Sequence, residues 1–200
     1  MTERLAATPE GIARAAEILA AGGLVAFPTD TVYGVGVAAS RADRLDALFA
    51  LKQRPPEKRI PILVAGVAQV GEHWVVDDDA LRAAERFWPG ALTLVLPSVG
   101  DGESQAFRAP DHLVALSLIE AAGPILATSA NRSGEPDTLG ADEVLIAFAT
   151  QQDELDAVVD GGSVPGGVAS TVLDLSSHPA RVLRDGPISR DALRAVVEVE

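Results

Sequence analysis

Of the sixteen basic residues in this chain of 200, only Lys52 and Lys58 are lysines, and both stand in one stretch, Leu51-Lys-Gln-Arg-Pro-Pro-Glu-Lys-Arg59. A compact ammonium at Lys52 and a planar guanidinium at Arg54 suit a polyphosphate, because lysine acts as a point charge while arginine grips two oxygens. Pro55-Pro56 stiffens the backbone directly after Arg54 and so lowers the entropy cost of holding the two cations in fixed relation. An ordinary solvated charged loop is the other reading of such a cluster.

Three further stretches combine hydroxyls, amides and glycine. Thr128-Ser129-Ala-Asn131-Arg-Ser-Gly134 follows a short apolar run, where it is either a strand-end turn or a loop able to meet a phosphate or a nucleobase edge. Phe27-Pro-Thr-Asp-Thr31-Val-Tyr33-Gly34 is a second hydroxyl-rich loop leaving a buried strand. Gly161 to Thr171 is a long glycine-rich connection entering a strand, a plain linker or a functional loop. Arg108 and Arg184 each lie in apolar surroundings, where an arginine needs a partner, either a buried carboxylate or a bound anion.

Several chemistries are excluded. The chain has no cysteine, so disulfides, thiolate catalysis and cysteine-type zinc sites are ruled out. His73, His112 and His178 share no ligand spacing, and no metal site is expected. Neither GxxxxGK[ST] nor GxSxG occurs. Gly34-Val-Gly36 reads as a tight turn rather than a dinucleotide fingerprint, because Ala39 stands at the third glycine position. A net charge of −13 repels polyanions at long range and counts against a protein that coats nucleic acid.

The elements that must position these residues alternate early and cluster late. Helices are predicted over Gly11 to Ala21 behind Thr8-Pro9, Arg41 to Leu51, Asp77 to Phe87, Ala141 to Thr150 and Arg190 to Val197, with a further one capped by Asp111 and ending at Ala122. Strands are predicted over Leu24 to Phe27, Ile60 to Ala65, Ala91 to Leu96, Gln105 to Ala109, Ile125 to Ala127, Val158-Val159, Ser170 to Leu175 and Ala180 to Leu183. This pattern implies an α/β fold (α+β by some schemes), a mixed parallel and antiparallel sheet with helices packed on it. The length and the lack of an internal linker point to one domain over residues 1–200. No apolar run approaches the roughly 20 residues of a membrane span, and no secretory signal is legible at Met1-Thr2-Glu3-Arg4, so a cytoplasmic location is expected.

Seven stretches in this order resemble the threonylcarbamoyl-adenylate synthase family, the YrdC/Sua5/TsaC group, in its short single-domain form. They are Pro28-Thr-Asp-Thr-Val-Tyr-Gly34, Leu51-Lys-Gln-Arg-Pro55 with Lys58, Phe87-Trp-Pro-Gly-Ala-Leu-Thr-Leu-Val-Leu96, Phe107-Arg-Ala-Pro-Asp-His112, Thr128 to Gly134, Ala169-Ser-Thr-Val-Leu-Asp174 and Val182-Leu-Arg-Asp-Gly186. The resemblance implies a YrdC-like domain with a twisted sheet and a central cationic cleft, without the C-terminal domain of the longer members. It implies a KxR plus SxN tetrad falling on Lys52, Arg54, Ser129 and Asn131. It further implies a threonine pocket bordered by Thr31, Tyr33, Arg108, Ser129 and Ser170, and a nucleotide lying along Lys52, Arg54, Lys58, Ser104, Asn131 and Arg184. Gly36-Val-Ala-Ala-Ser40, Leu63 and Leu139 depart from the family's more usual residues.

The implied activity is that of a nucleotidyltransferase joining L-threonine, bicarbonate and ATP into threonylcarbamoyl-adenylate and pyrophosphate. Magnesium (Mg2+) arrives with ATP. A downstream threonylcarbamoyl transferase, which modifies adenosine beside the tRNA anticodon, takes the product. The rival from another class is an RNA-binding module using the same cations without ATP turnover, against which the net charge and the low aromatic content argue. A carbamoyl-transfer module like that of hydrogenase-maturation proteins is a third reading, set aside because those carry cysteine-rich zinc segments.

Overall fold

The structure, a computed structural model, describes residues 1–53, 60–100, 102–151 and 154–200. Its strands are β1 (Glu3–Ala6), β2 (Val25–Pro28), β3 (Tyr33–Ala38), β4 (Ile62–Leu63), β5 (Leu92–Pro97), β6 (Ser104–Arg108), β7 (Ile125–Ser129), β8 (Ala157–Asp160), β9 (Thr171–Asp174) and β10 (Arg181–Arg184). They form one sheet in the order β1-β8-β2-β3-β7-β4-β6-β5-β9-β10. The β1/β8, β2/β8, β4/β6 and β5/β9 pairs are parallel and the rest antiparallel, so the sheet is mixed, as the alternation of elements implied.

Among the described residues six α-helices cover it: α1 (Pro9–Ala20), α2 (Leu45–Lys52), α3 (Asp78–Phe87), α4 (Leu113–Ala122), α5 (Ala141–Ala147) and α6 (Arg190–Arg194). The side-chain period of two decides which face each strand residue serves. Ala26, Tyr33, Val35 and Val37 point toward α2 and α5, where they meet Leu48, Leu51 and Val144. Val25, Phe27, Ala38 and Ala127 point the other way, onto Leu19 of α1 and Leu118 of α4. Farther along the sheet Leu92, Leu94, Phe107 and Leu173 pack against Ala83 of α3 and Leu193 of α6. Ile62 touches the first and third of these clusters while Leu63 belongs to the second, so α2, α5, α3 and α6 share one face. On the opposite face α1 and α4 cover only the half built on β2, β3, β7 and β8. The other half is left as a hollow.

Caps fix the helix starts. Thr8 Oγ1 accepts from the Gly11 amide with Pro9 at the first position, Asp77 caps α3 and Ser189 caps α6. The cap of α4 is His112 rather than the expected Asp111, and it makes no side-chain capping bond. The expected single helix over Arg41 to Leu51 is split: a 3₁₀ stretch, Ala39–Arg44, breaks at Arg41 (φ −117°, ψ 40°) before α2 begins.

Two strands lie outside the expected set. β1 is a short edge strand in which only Leu5 is partly shielded, so it carries no hydrophobic alternation. β3 replaces the tight turn expected at Gly34-Val-Gly36. Its glycines serve close packing: a Cβ at Gly36 would lie 2.4 Å from the Leu126 carbonyl oxygen. Among the described residues no helix is long and apolar enough to cross a membrane.

Candidate functional site

The hollow is a cavity of about 410 Å³ on the sheet face that α1 and α4 leave uncovered. The same alternation that sends Phe107, Leu92, Leu94 and Leu173 into the core turns Ala106, Arg108, Thr93 and Val172 into the cavity. Gly34 of β3, Leu63 of β4 and Ala127 and Ser129 of β7 complete its floor. Thr29 and Thr31, in the loop after β2, wall one end. Gly167, Ala169, Ser170 and Arg184 wall the other.

Cations and hydroxyls are arranged unevenly across this space. Arg108 is neutralised in place: its Nη2 donates to both oxygens of Asp30 at 2.7 Å, Nε to the Gly90 carbonyl at 3.0 Å and Nη1 to Thr31 Oγ1 at 3.4 Å. The pair is largely withdrawn from water, at 11% and 16% side-chain exposure. Arg184 has no carboxylate partner among the described residues. Its Nε donates to the Ser170 carbonyl at 3.0 Å and its Nη2 to Ser170 Oγ at 3.1 Å. Desolvation, and after it the positive charge of Arg108, hold the Arg184 guanidinium below its ordinary range. Ser170 Oγ and Thr93 Oγ1 are 2.8 Å apart and buried. The Arg184 end of the cavity therefore carries uncompensated positive charge beside hydroxyls, which suits an anion.

Ser129 and Asn131 are organised from behind. Lys52, the last residue of α2, is buried and reaches the end of β7 from the opposite face of the sheet. Its Nζ donates to the Ser129 carbonyl, to the Asn131 carbonyl at 2.6 Å and to Asn131 Oδ1 at 3.2 Å. Ser129 Oγ donates to Asn131 Oδ1 at 2.6 Å and Asn131 Nδ2 to the Glu135 carbonyl at 2.6 Å. The ammonium thus sits one residue behind the cavity wall, with Ser129 in front of it.

Of the residues expected from sequence, Thr31, Arg108, Ser129, Ser170 and Arg184 line the cavity together, and Lys52 and Asn131 back it. Tyr33 does not border it. The pleat that turns Gly34 inward sends the Tyr33 ring to the other face, into the cluster with Val35 and Val37. Ser104 shares the face of Ala106 and Arg108 on β6 but stands beyond the lining residues. Arg54 and Lys58 lie outside the described residues. Asp30, Thr93 and Asp137 were not among the residues expected at the site, and Thr29 was expected only as part of the hydroxyl-rich loop after β2. Thr93, a lone hydroxyl between Leu92 and Leu94, was the legible signal among them.

Fold and cavity together define an α/β domain of the YrdC type, a mixed sheet with one face half open over a hollow lined by arginines and hydroxyls. The chain belongs to the Sua5/YciO/YrdC family, whose model, described as telomere recombination, matches residues 17–186. It is 37% identical to threonylcarbamoyl-AMP synthase of Bacillus subtilis (strain 168) over 98% of this chain and 59% of that protein. It is also 37% identical to the enzyme of that name from Pyrococcus abyssi over 92% of this chain and 56% of the relative. The chain therefore spans less than two thirds of these two relatives. A putative threonylcarbamoyl-AMP synthase of Mycobacterium tuberculosis (strain CDC 1551 / Oshkosh) is 35% identical, with 95% of this chain and 90% of that protein aligned. Among solved structures, P. abyssi Sua5 complexed with L-threonine superposes with a TM-score of 0.87 at 33% identity, covering 100% of this chain and 62% of that one. E. coli YciO shares the fold, with a TM-score of 0.81 at 23% identity over 94% of this chain and 97% of that one.

Proposed function

We propose that this chain is an L-threonylcarbamoyladenylate synthase, a nucleotidyltransferase acting on L-threonine, bicarbonate and ATP. The observation that carries the reading is the cavity itself. About 410 Å³, enclosed between Thr31 and Arg108 at one end and Ser170 and Arg184 at the other, falls within the roughly 300–1,000 Å³ of small-molecule sites. A concave hollow with an arginine that has no carboxylate partner among the described residues suits a small anionic substrate better than an extended RNA backbone. The names of the relatives and the threonine held by P. abyssi Sua5 support the same assignment.

The reaction begins when the threonine amine takes up bicarbonate as a carbamate, releasing water. A carbamate oxygen then attacks the α-phosphorus of ATP, and the bond to the β-phosphate oxygen breaks to release pyrophosphate. Thr31, Arg108, Ser129 and Ser170 hold the amino acid. Arg184, together with Arg54, Lys58 and Ser104, accompanies the nucleotide, where fixed cations offset charge building on the phosphoryl oxygens. Lys52 and Asn131 hold Ser129 in place.

Magnesium enters with ATP and offsets phosphate charge; among the described residues no group of three or more His, Asp or Glu could hold a metal ion by itself. The adenylate then passes, in the cytoplasm, to a threonylcarbamoyl transferase that modifies tRNA. Pyrophosphate release from ATP and bicarbonate, with and without L-threonine, tests the reading. Threonine-dependent release is expected, whereas tRNA binding without any release would favour the RNA-binding alternative.

A further inference from the structure

Tyr33 is the chain's only tyrosine, and it is completely buried. A buried phenol costs stability unless its hydroxyl is bonded, and a phenylalanine would fill the same volume without that cost. The Tyr33 hydroxyl is bonded twice, both times to the first residues of the glycine-rich loop. It donates to the Gly162 carbonyl at 2.7 Å and accepts from the Gly161 amide at 3.3 Å. Burial raises its pKa, so the hydroxyl keeps the proton it donates.

The backbone of the same residue is tied elsewhere. The Tyr33 carbonyl accepts from the Ala130 amide at 2.7 Å, and the Tyr33 amide donates to the Thr138 carbonyl at 2.9 Å. One residue thus joins the loop that carries Ser129 and Asn131 to the loop that ends at Ser170. Beyond Gly162 the glycine-rich loop touches down at Val164, buried and with its amide 2.9 Å from the Leu139 carbonyl, and again at Ser170 on Thr93. Gly166 and Gly167 lie between these points at φ +70° and +149°, and Gly167 and Ala169 form part of the cavity wall.

We propose that Tyr33 is a positioning residue, fixing the glycine-rich loop against the Ser129–Asn131 loop so that the two walls of the cavity keep their separation without the ring touching substrate. The loop's other bond at this end, from the Gly162 amide to Asp160 Oδ1 at 3.1 Å, holds Gly162 to its own neighbour, so that among the described residues the hydrogen bonds from Gly161 and Gly162 to β3 are those of the phenol. The effect on substrate rests on the proposed activity; the mechanical link does not.

Tyr33→Phe removes one oxygen and keeps the ring, and residue-resolved amide hydrogen exchange reads the link directly. The Gly161 and Val164 amides are expected to exchange roughly fivefold faster, the effect of losing one ordinary hydrogen bond, while the Gly36 and Ala127 amides in the sheet keep their rates. The KM for L-threonine at saturating ATP should rise several-fold with kcat within about twofold, a split that general destabilisation does not produce. Unchanged exchange at Gly161 and Val164 would overturn the proposal. So would equal acceleration throughout the sheet, or a loosened loop with an unaltered KM. If the wild-type protein shows no turnover, the functional reading fails by itself, and the exchange rates still decide whether Tyr33 holds the loop.

Discussion

Lys52 Nζ lies 2.6 Å from the carbonyl oxygen of Asn131 and 3.2 Å from its side-chain oxygen, although 79 residues separate the two in sequence. With the Ser129 carbonyl as a third acceptor, the ammonium holds three oxygens of one segment. The charge supports the loop first and reaches the cavity through it. Replacing Lys52 by Met keeps an unbranched side chain one atom shorter and strands those oxygens, at about 1–3 kcal/mol for an unsatisfied buried polar group. Lys52→Met should therefore lower both the urea midpoint and threonine-dependent turnover. An unchanged midpoint would show that the loop does not depend on this residue.

Arg184 differs from Arg108 in being more exposed and, among the described residues, without a carboxylate partner. Arg184→Ala should lower stability, read by urea denaturation, by no more than about 1 kcal/mol, the loss of its hydrogen bonds to Ser170, and raise the KM for ATP about tenfold or more. Steady-state kinetics at fixed threonine provide the comparison, and an unaltered KM would remove Arg184 from the nucleotide.

Asp30 and Arg108 behave as a unit. Losing one partner leaves a poorly hydrated charge, so Asp30→Asn and Arg108→Met should each destabilise by about 2 kcal/mol, below the full cost of a wholly buried pair. The double variant should cost less than their sum, because it leaves no stranded charge. A double-mutant cycle by chemical denaturation measures the coupling, and additive losses would mean that the ion pair adds no coupling of its own.

His112 is half-buried at the start of α4, and its Nδ1 finds no hydrogen-bond partner among the described residues. Desolvation lowers its pKa from 6.5, more than Asp30 and Asp111 raise it. Below about pH 6.5 the unfolded chain therefore takes up a proton that the folded chain refuses. Its contribution is complete above that pH and declines as the pH falls toward the folded value. Thermal melts across about pH 7.5 to 5 should show a downward slope in the wild type that is shallower in His112→Gln. Equal slopes would mean that the imidazole is solvated.

Sequence was most informative where one residue type did one job. Thr31, Arg108, Ser129, Ser170 and Arg184 were legible because hydroxyls and arginines stand out among apolar strand residues, and the strand period then brings them to one hollow. β3 was hidden for the converse reason: Gly34 and Gly36 resemble turn residues, while their purpose is to let β7 approach, a fact of pairing between strands about ninety residues apart. The role of Tyr33 was hidden too, since the alternation that places Gly34 in the cavity removes its neighbour from it. Asp30 could have been inferred as the partner of Arg108 only by knowing that the loop after β2 crosses the end of β6.

The proposed activity joins threonine, a carbon from bicarbonate and AMP in one molecule. Mass spectrometry of a reaction containing ATP, L-threonine and ¹³C-bicarbonate tests it most directly. The account predicts a threonine–AMP adduct carrying one labelled carbon, formed together with pyrophosphate and absent when threonine is omitted. Pyrophosphate released at the same rate without threonine, or an adduct lacking the label, would contradict it.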